Sequence, residues 1–321
     1  MDAFALPVMP KIVTEPGESG LFIRGRHRAF IKIQDGCRYR CTFCIVTVAR
    51  GAERSRQEAD IIDEINKLSQ QGIQEIVLTG VHVGGYGSDL DNSTLYSLVQ
   101  RVLAETDIPR VRFASVEPWD LPDNFFTLFS DSRLMPHMHL PIQSGADSVL
   151  RRMARRCKTA EFTALLEQAR RDVPDFNVTT DIIVGFPGET EAEWAETLAY
   201  VEQTGFGHIH IFTYSAREGT KAARLENQVP EPVRKQRSQS LHELAEKLKQ
   251  DWLQRQLGRS VDVLWERRRE EGNQVFYSGY TPNYCKVVAK TDTSIDLENR
   301  ITPVRLRVLD EESAALQGEL L

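Results

Sequence analysis

Apolar residues recur along this chain in short runs, separated by longer stretches of a different period. Runs that read as strands fall at residues 29–34, 75–79, 111–115, 137–141, 178–184 and 209–213. Between most of them the apolar positions return every three or four residues. In residues 58–71, Ile61, Ile62, Ile65 and Leu68 share one helical face. Residues 161–171 and 189–203 follow the same rule. Strands alternating with helices predict crossover units and a parallel sheet. Six such units are fewer than the eight that close a barrel, so the pattern predicts an incomplete α/β barrel with an open side.

Residues 230–257 read as one long polar helix, with Leu241, Leu244 and Leu248 along one side. After Gly258 the helical period is lost until the tail. Short β-rich segments at residues 261–265, 274–280, 285–289, 294–297 and 303–309 predict a small all-β barrel. The expected organisation is a leader or linker over 1–28, a partial barrel over 29–229, a connecting helix over 230–257 and a β-barrel over 258–321.

Composition narrows the class. Hydrophobic residues make up 41% and charged residues 27% of 321, ordinary for a globular protein. No apolar run approaches the roughly 20 residues that span a bilayer. The first 20 residues lack the basic start and apolar stretch of a signal peptide. The expectation is a cytoplasmic protein with no membrane partner. A net charge of −6 argues against coating nucleic acid by bulk charge and leaves room for a local basic patch.

Five cysteines, three of them crowded, do not form a disulfide framework. The three lie in Cys37-Arg-Tyr-Arg-Cys41-Thr-Phe-Cys44, directly after the first predicted strand. Thiolates with gaps of three and two residues on one tight loop can reach three metals of one compact cluster. In a cube of four irons they leave one iron without a protein ligand, where a cofactor can coordinate. The spacing also admits a zinc site completed by a histidine such as His27, although structural zinc usually takes two separated pairs. Cys157 and Cys285 are isolated, and lone cysteines usually behave as small apolar residues.

These residues resemble the radical S-adenosylmethionine (radical SAM) superfamily. The longer stretch from Ile33-Gln-Asp-Gly-Cys37 through Cys44 to Arg50-Gly51-Ala-Glu-Arg-Ser55-Arg56 resembles its methylthiotransferases, which insert a methylthio group into a C–H bond. So do Leu78-Thr-Gly80-Val-His82-Val-Gly84-Gly85-Tyr86-Gly87, Ser115-Val-Glu117-Pro118, His137-Met-His139-Leu-Pro-Ile-Gln143-Ser144-Gly145 and Asp181-Ile-Ile-Val-Gly185-Phe-Pro187-Gly188. The segments around Trp265 and Tyr280 resemble the RNA-binding TRAM barrel. Thr79 to His82 and the Trp265 segment favour the branch that modifies threonylcarbamoyladenosine beside the tRNA anticodon. The isopentenyladenosine and ribosomal-protein branches are close relatives. A non-enzymatic iron–sulfur or zinc module that binds RNA is the reading of another class.

The resemblance implies a fold, an incomplete parallel (β/α) radical SAM barrel of six units followed by a TRAM-like barrel. It implies one [4Fe–4S] cluster on Cys37, Cys41 and Cys44, with S-adenosylmethionine on the open iron. It implies tRNA, an electron donor and a sulfur donor as partners. Relatives carry an auxiliary cluster in a preceding domain, and the expectation here is that this chain does not encode it.

Loops at the C-terminal ends of barrel strands are where a site sits. Gly80 there either admits the cofactor's polar end or is a plain turn residue. Glu117 either binds the cofactor's ammonium or ribose or is solvated. Gln143 and Ser144 either hold the ribose or carboxylate or cap a helix. Asp181 is either a cofactor-binding carboxylate or a structural one buried in its strand with a partner. Phe43 packs on adenine or in the core. His82 and His139 are as readily structural as ligating. For RNA the candidates are Arg267, Arg268, Arg269, Lys286, Lys290, Tyr280 and Tyr284, through stacking and phosphate contacts. Glu270 and Glu271 directly after the arginines fit a solvated charge run equally well.

Overall fold

The computed structural model describes residues 27–321 apart from Asn273, so most of the expected leader lies outside the described residues. Among the described residues the first half of the barrel is a four-stranded sheet, in order β2-β1-β3-β4. Its strands are β1 (Arg28–Asp35), β2 (Arg54–Ser55), β3 (Glu75–Gly80) and β4 (Arg110–Phe113). β1, β3 and β4 run parallel, and the two-residue β2 pairs antiparallel with the end of β1. The second half is β5 (His137–His139), β6 (Asn177–Val184) and β7 (His208–Thr213), all parallel. Isolated bridges Val111↔Leu134 and Ser115↔His139 join β4 to the β5 segment. Six parallel strands therefore run from β1 to β7, and among the described residues no pairing closes the gap between those two edges.

Helices cover the outer face: α1 (Val46–Arg50), α2 (Glu58–Gln70), α3 (Leu95–Glu105), α4 (Asp147–Arg152), α5 (Thr159–Asp172) and α6 (Glu191–Thr204). In α2 the periodic positions Ile61, Ile62, Ile65 and Leu68 are all buried. They join Ile31, Ile33, Ile76 and Leu78 of the sheet in one core. Thr94 and Thr190 cap α3 and α6 with reciprocal side-chain and backbone hydrogen bonds, which satisfies amides a helix start leaves unpaired.

The helix α7 (Glu231–Gln254) packs on β7 and leads into a closed barrel of β8 (Ser260–Glu271), β9 (Gln274–Tyr280), β10 (Lys286–Thr291), β11 (Ile301–Asp310) and β12 (Ala315–Leu320). It has its own core around Trp265, Tyr277, Val287 and Leu306. One strand differs from the sequence expectation. Residues 294–297 form turn and coil, and the fifth strand is β12 in the tail, which closes the barrel by pairing parallel with β10.

The small barrel seats on the N-terminal ends of the parallel strands. Arg110 donates to the carbonyls of Tyr280 and Asp262, Arg112 to that of Thr281, and Asn177 to that of Asn283. Glu75, 1% exposed, lies among Arg28, Arg110 and Arg112 at 3.5, 4.0 and 3.0 Å. Burial pushes its carboxyl up, and the charges of the three arginines outweigh this and hold it below the usual range. No helix among the described residues is long and apolar enough to cross a membrane.

Candidate active site

β1 ends at Asp35, and the chain turns at Gly36, whose φ is +78°. A Cβ there would stand 2.0 Å from the Ala52 carbonyl oxygen, so only glycine permits the turn. The loop that follows carries Cys37, Cys41 and Cys44 and is tied down without metal. The Cys37 amide donates to Gly51 and the Cys44 amide to Cys41. Thr42 reaches across the barrel mouth: its amide donates to Met153, its hydroxyl to Arg152, and its carbonyl accepts from Ala222.

The sulfurs face donors. The Tyr39 amide lies 3.4 Å from Cys37 Sγ, and Arg155 Nη1 lies 3.8 Å from Cys41 Sγ. Burial pushes the Cys37 thiol up to about 11 and raises that of Cys41 as well, so metal binding must displace protons. Three sulfurs on one loop, met by N–H groups suited to thiolates, fit a cluster with three protein ligands. Cys157 and Cys285 are buried elsewhere; Cys285 accepts from Trp252 Nε1 at 3.2 Å. The alternative of a zinc site completed by His27 finds no support in the geometry. His27 stands at the opposite end of β1, roughly 25 Å of strand away, and pairs with Glu298 at 3.6 Å.

Behind Cys37 lies a clamp that holds the loop. His82 is 2% exposed, with Nδ1 2.5 Å from Glu53 and Nε2 2.6 Å from Asp120. Burial works against its charge, and the two carboxylates outweigh it and raise its pKa. Both ring nitrogens are thus committed. Cys37, Glu53 and His82 place donor atoms within 4.8 Å of one another. Tyr39 donates to Asp120 at 2.6 Å and packs edge-on against His82 and Trp119. The His82 amide donates to the Gln34 side chain. Gly80, beside it, has the Gln34 carbonyl oxygen 2.9 Å from where a Cβ would sit, so close approach to β1 selects glycine there.

The remaining candidates separate. Glu117 pairs with Arg155 at 2.6 Å, directly under Cys41. Gln143 is buried at φ +81°, a strained position for a side chain, and its amide donates to the Asp181 carbonyl. Ser144 is fully buried and accepts from the Ala146 amide at the approach to α4. Phe43 packs on a small apolar cluster that includes Phe186 and Tyr214. Asp181 is not enclosed as the structural alternative expects: its side chain is 21% exposed, pairs with His139 at 3.1 Å and faces an open cavity of about 720 Å³.

That cavity runs inside the barrel from Ser115 and Asp181 down to Tyr280 and Tyr284 of the small barrel. The two tyrosines stack on each other, and Tyr284 stacks on His137, at 4.8 Å in both cases. Lys286 lines the same cavity. On the outside, Arg268 pairs with Glu270 and Arg269 with Glu271, while Arg267 and Lys290 are exposed. Sequence reasoning missed Arg155 and Asp120, which reach the site from distant segments, and did not single out Glu53 or Tyr39, although both lie within the quoted cysteine stretch.

The profile of the Radical SAM superfamily matches residues 31–201. The chain is 37% identical over 284 residues to the threonylcarbamoyladenosine tRNA methylthiotransferase MtaB of Bacillus subtilis, covering 88% of this chain and 62% of that protein. It is 41% identical over 261 residues to the tRNA-2-methylthio-N(6)-dimethylallyladenosine synthase of Oceanobacillus iheyensis, covering 80% of this chain and 50% of that one. The chain thus spans about half to three fifths of the length of these relatives. Among solved structures, coproporphyrinogen III oxidase from Escherichia coli, a radical SAM enzyme, superposes with a TM-score of 0.51 at 13% identity, covering 80% of this chain and 67% of that one. This likeness concerns the fold alone.

Proposed function

The chain belongs to the Radical SAM superfamily, and from that premise we propose that it works as a tRNA methylthiotransferase on threonylcarbamoyladenosine. Bound to the three thiolates, a [4Fe–4S] cluster would, with S-adenosylmethionine, supply radical chemistry that abstracts hydrogen. The chain's own residues hold and shield this chemistry. Cys37, Cys41 and Cys44 ligate. Arg155 and the Tyr39 amide offset sulfur charge. The His82 clamp fixes the loop, and Gln143, held in a strained backbone after β5, would meet the cofactor.

The observation that carries the reading is the three-thiol loop at the C-terminal end of β1 in a chain 37% identical to a methylthiotransferase of that substrate. The dimethylallyladenosine relative supports a second reading, with the same chemistry on an apolar N6 substituent. The small barrel, with exposed Arg267 and Lys290, supports tRNA as partner. Electron and sulfur donors complete the scheme.

The test is anaerobic incubation of the iron-loaded chain with S-adenosylmethionine, dithionite and tRNA lacking the methylthio group. Deoxyadenosine formed by the native chain and absent from Cys41→Ala supports the reading, and methylthiolated nucleoside by mass spectrometry identifies the base. An iron-loaded protein that forms no deoxyadenosine overturns it.

A further inference from the structure

The cavity inside the barrel is lined by side chains that the radical chemistry does not use. Its charged lining residues are Arg28, Arg112, Lys249, Lys286 and Asp181. Arg28 and Arg112 are already matched by Glu75 and Glu266. Lys249, on α7, has its nearest carboxylate at 4.0 Å in Glu246, and Lys286 makes no ion pair among the described residues. Asp181 and Glu246 offset two of these cations, and Lys286 is the lining cation without an ion pair among the described residues, so a carboxylate entering beside Lys249 and Lys286 meets positive charge locally.

The polar groups are arranged by level. β6 and β7 run parallel with Thr179 opposite His208 and Asp181 opposite His210. At the upper level Asp181 pairs with His139, whose ring lies 5.3 Å from that of His210. One step lower His208 lies 4.7 Å from His210 and close to Lys249. Two strand residues separate the levels by roughly 7 Å. The upper level adjoins the radical site, because Gln143 donates to the Asp181 carbonyl and Ser115 leads into Glu117 beneath Cys41. Phe212, 53% exposed on β7, lines the open side above, where a base can stack, while Phe30 on β1 lines the cavity nearer its foot, level with Arg112.

An acceptor near the reaction centre and a cation one step deeper match one substituent. A threonylcarbamoyl group presents a second ureido N–H, beyond the carbonyl joined to N6, and a carboxylate at its far end. A dimethylallyl group presents neither and leaves these buried polar groups without partners. We propose that the cavity receives the N6 substituent of the target adenosine, with Asp181 accepting the ureido N–H and Lys249 with His208 binding the carboxylate. These side chains then set the choice between the two tRNA substrates. This rests on the tRNA reading above.

The experiment uses the full iron-loaded chain and labelled anticodon stem-loop oligonucleotides carrying threonylcarbamoyladenosine, dimethylallyladenosine or adenosine. The native chain should bind the first about tenfold more tightly than the second, the worth of one charge-assisted hydrogen bond. Lys249→Ala and Asp181→Asn should each lose that preference while affinity for the adenosine oligonucleotide stays unchanged. Lys249 is a partly exposed residue on a helix, so its variant tests binding and not folding. Equal affinity of the native chain for all three oligonucleotides, or a preference kept by Lys249→Ala, overturns the inference and leaves the tRNA reading standing. Failure to bind any oligonucleotide, or whole tRNA, overturns both.

Discussion

The guanidinium of Arg155 donates to the Glu117 carboxylate at 2.6 Å while its other terminal nitrogen faces the Cys41 sulfur at 3.8 Å. One buried cation thus links a loop after β4 to a cluster ligand after β1. It also lies over the Trp119 ring at 4.3 Å.

Arg155→Met should therefore do two separable things. It strands Glu117, which should cost about 3 kcal/mol in denaturant unfolding. It removes an N–H from a cluster sulfur, which should make the cluster's reduction potential more negative. The double variant Arg155→Met with Glu117→Gln should recover most of the stability and none of the potential. A potential unchanged in both variants would assign Arg155 a purely structural place.

Removing the iron should leave the fold intact. Thr42 alone ties the cysteine loop to Met153, Arg152 and Ala222. Chelation, or Cys41→Ala, should abolish cleavage of S-adenosylmethionine with little change in the thermal midpoint followed by circular dichroism. A fall on the order of 10 °C, several kcal/mol for a chain of this length, would show instead that metal organises the loop.

Glu75→Ala should loosen the seat of the small barrel. It leaves Arg110 and Arg112 buried without a counter-charge and Arg28 with Glu266 alone, a loss of about 3–5 kcal/mol. Limited proteolysis should then cut first between α7 and β8. Cleavage no faster than in the native chain would mean that the carbonyl contacts of Arg110 and Arg112 suffice.

Glu193 provides a pH test. Hydrogen bonds from Arg152, and further from Ser148 and the Thr190 amide, hold its carboxyl down to about 2 against the opposing effect of burial. A pKa depressed on folding contributes stability above the unfolded value of 4.5, and that contribution is lost as pH falls toward 2. Glu193→Gln should be less stable than the native chain by on the order of 2 kcal/mol at neutral pH. The difference should shrink between pH 4.5 and 2. A difference constant with pH would refute the ion pair as its source.

Local periodicity carried much of this structure. Ile61, Ile62, Ile65 and Leu68 announce α2, and the spacing of Cys37, Cys41 and Cys44 announces the site before any contact is known. What periodicity misses is decided across distance. Arg155 meets Glu117 over 38 residues and Cys41 over 114, with no pattern linking them. Tyr280 and Tyr284 look like surface aromatics because their own barrel does not bury them; they stack inward only once that barrel seats on His137. In β12 the glycine and glutamate at Gly318 and Glu319 break the apolar alternation, and only the partners β10 and β11 make it a strand.

The seam at β4 and β5 has a mechanical consequence. Isolated bridges hold the two half-sheets together there, whereas the other neighbouring parallel strands of the barrel pair in ladders of three or more residues. Below, the small barrel grips both halves, through Arg110 and Arg112 on one and Asn177 on the other. The assembly is stiff at its foot and compliant along one line above it, like a cuff pinned at one rim. The cysteine loop is carried on the half that contains β1, so any give along that line would be felt first between the cysteines and the strands from β5 to β7.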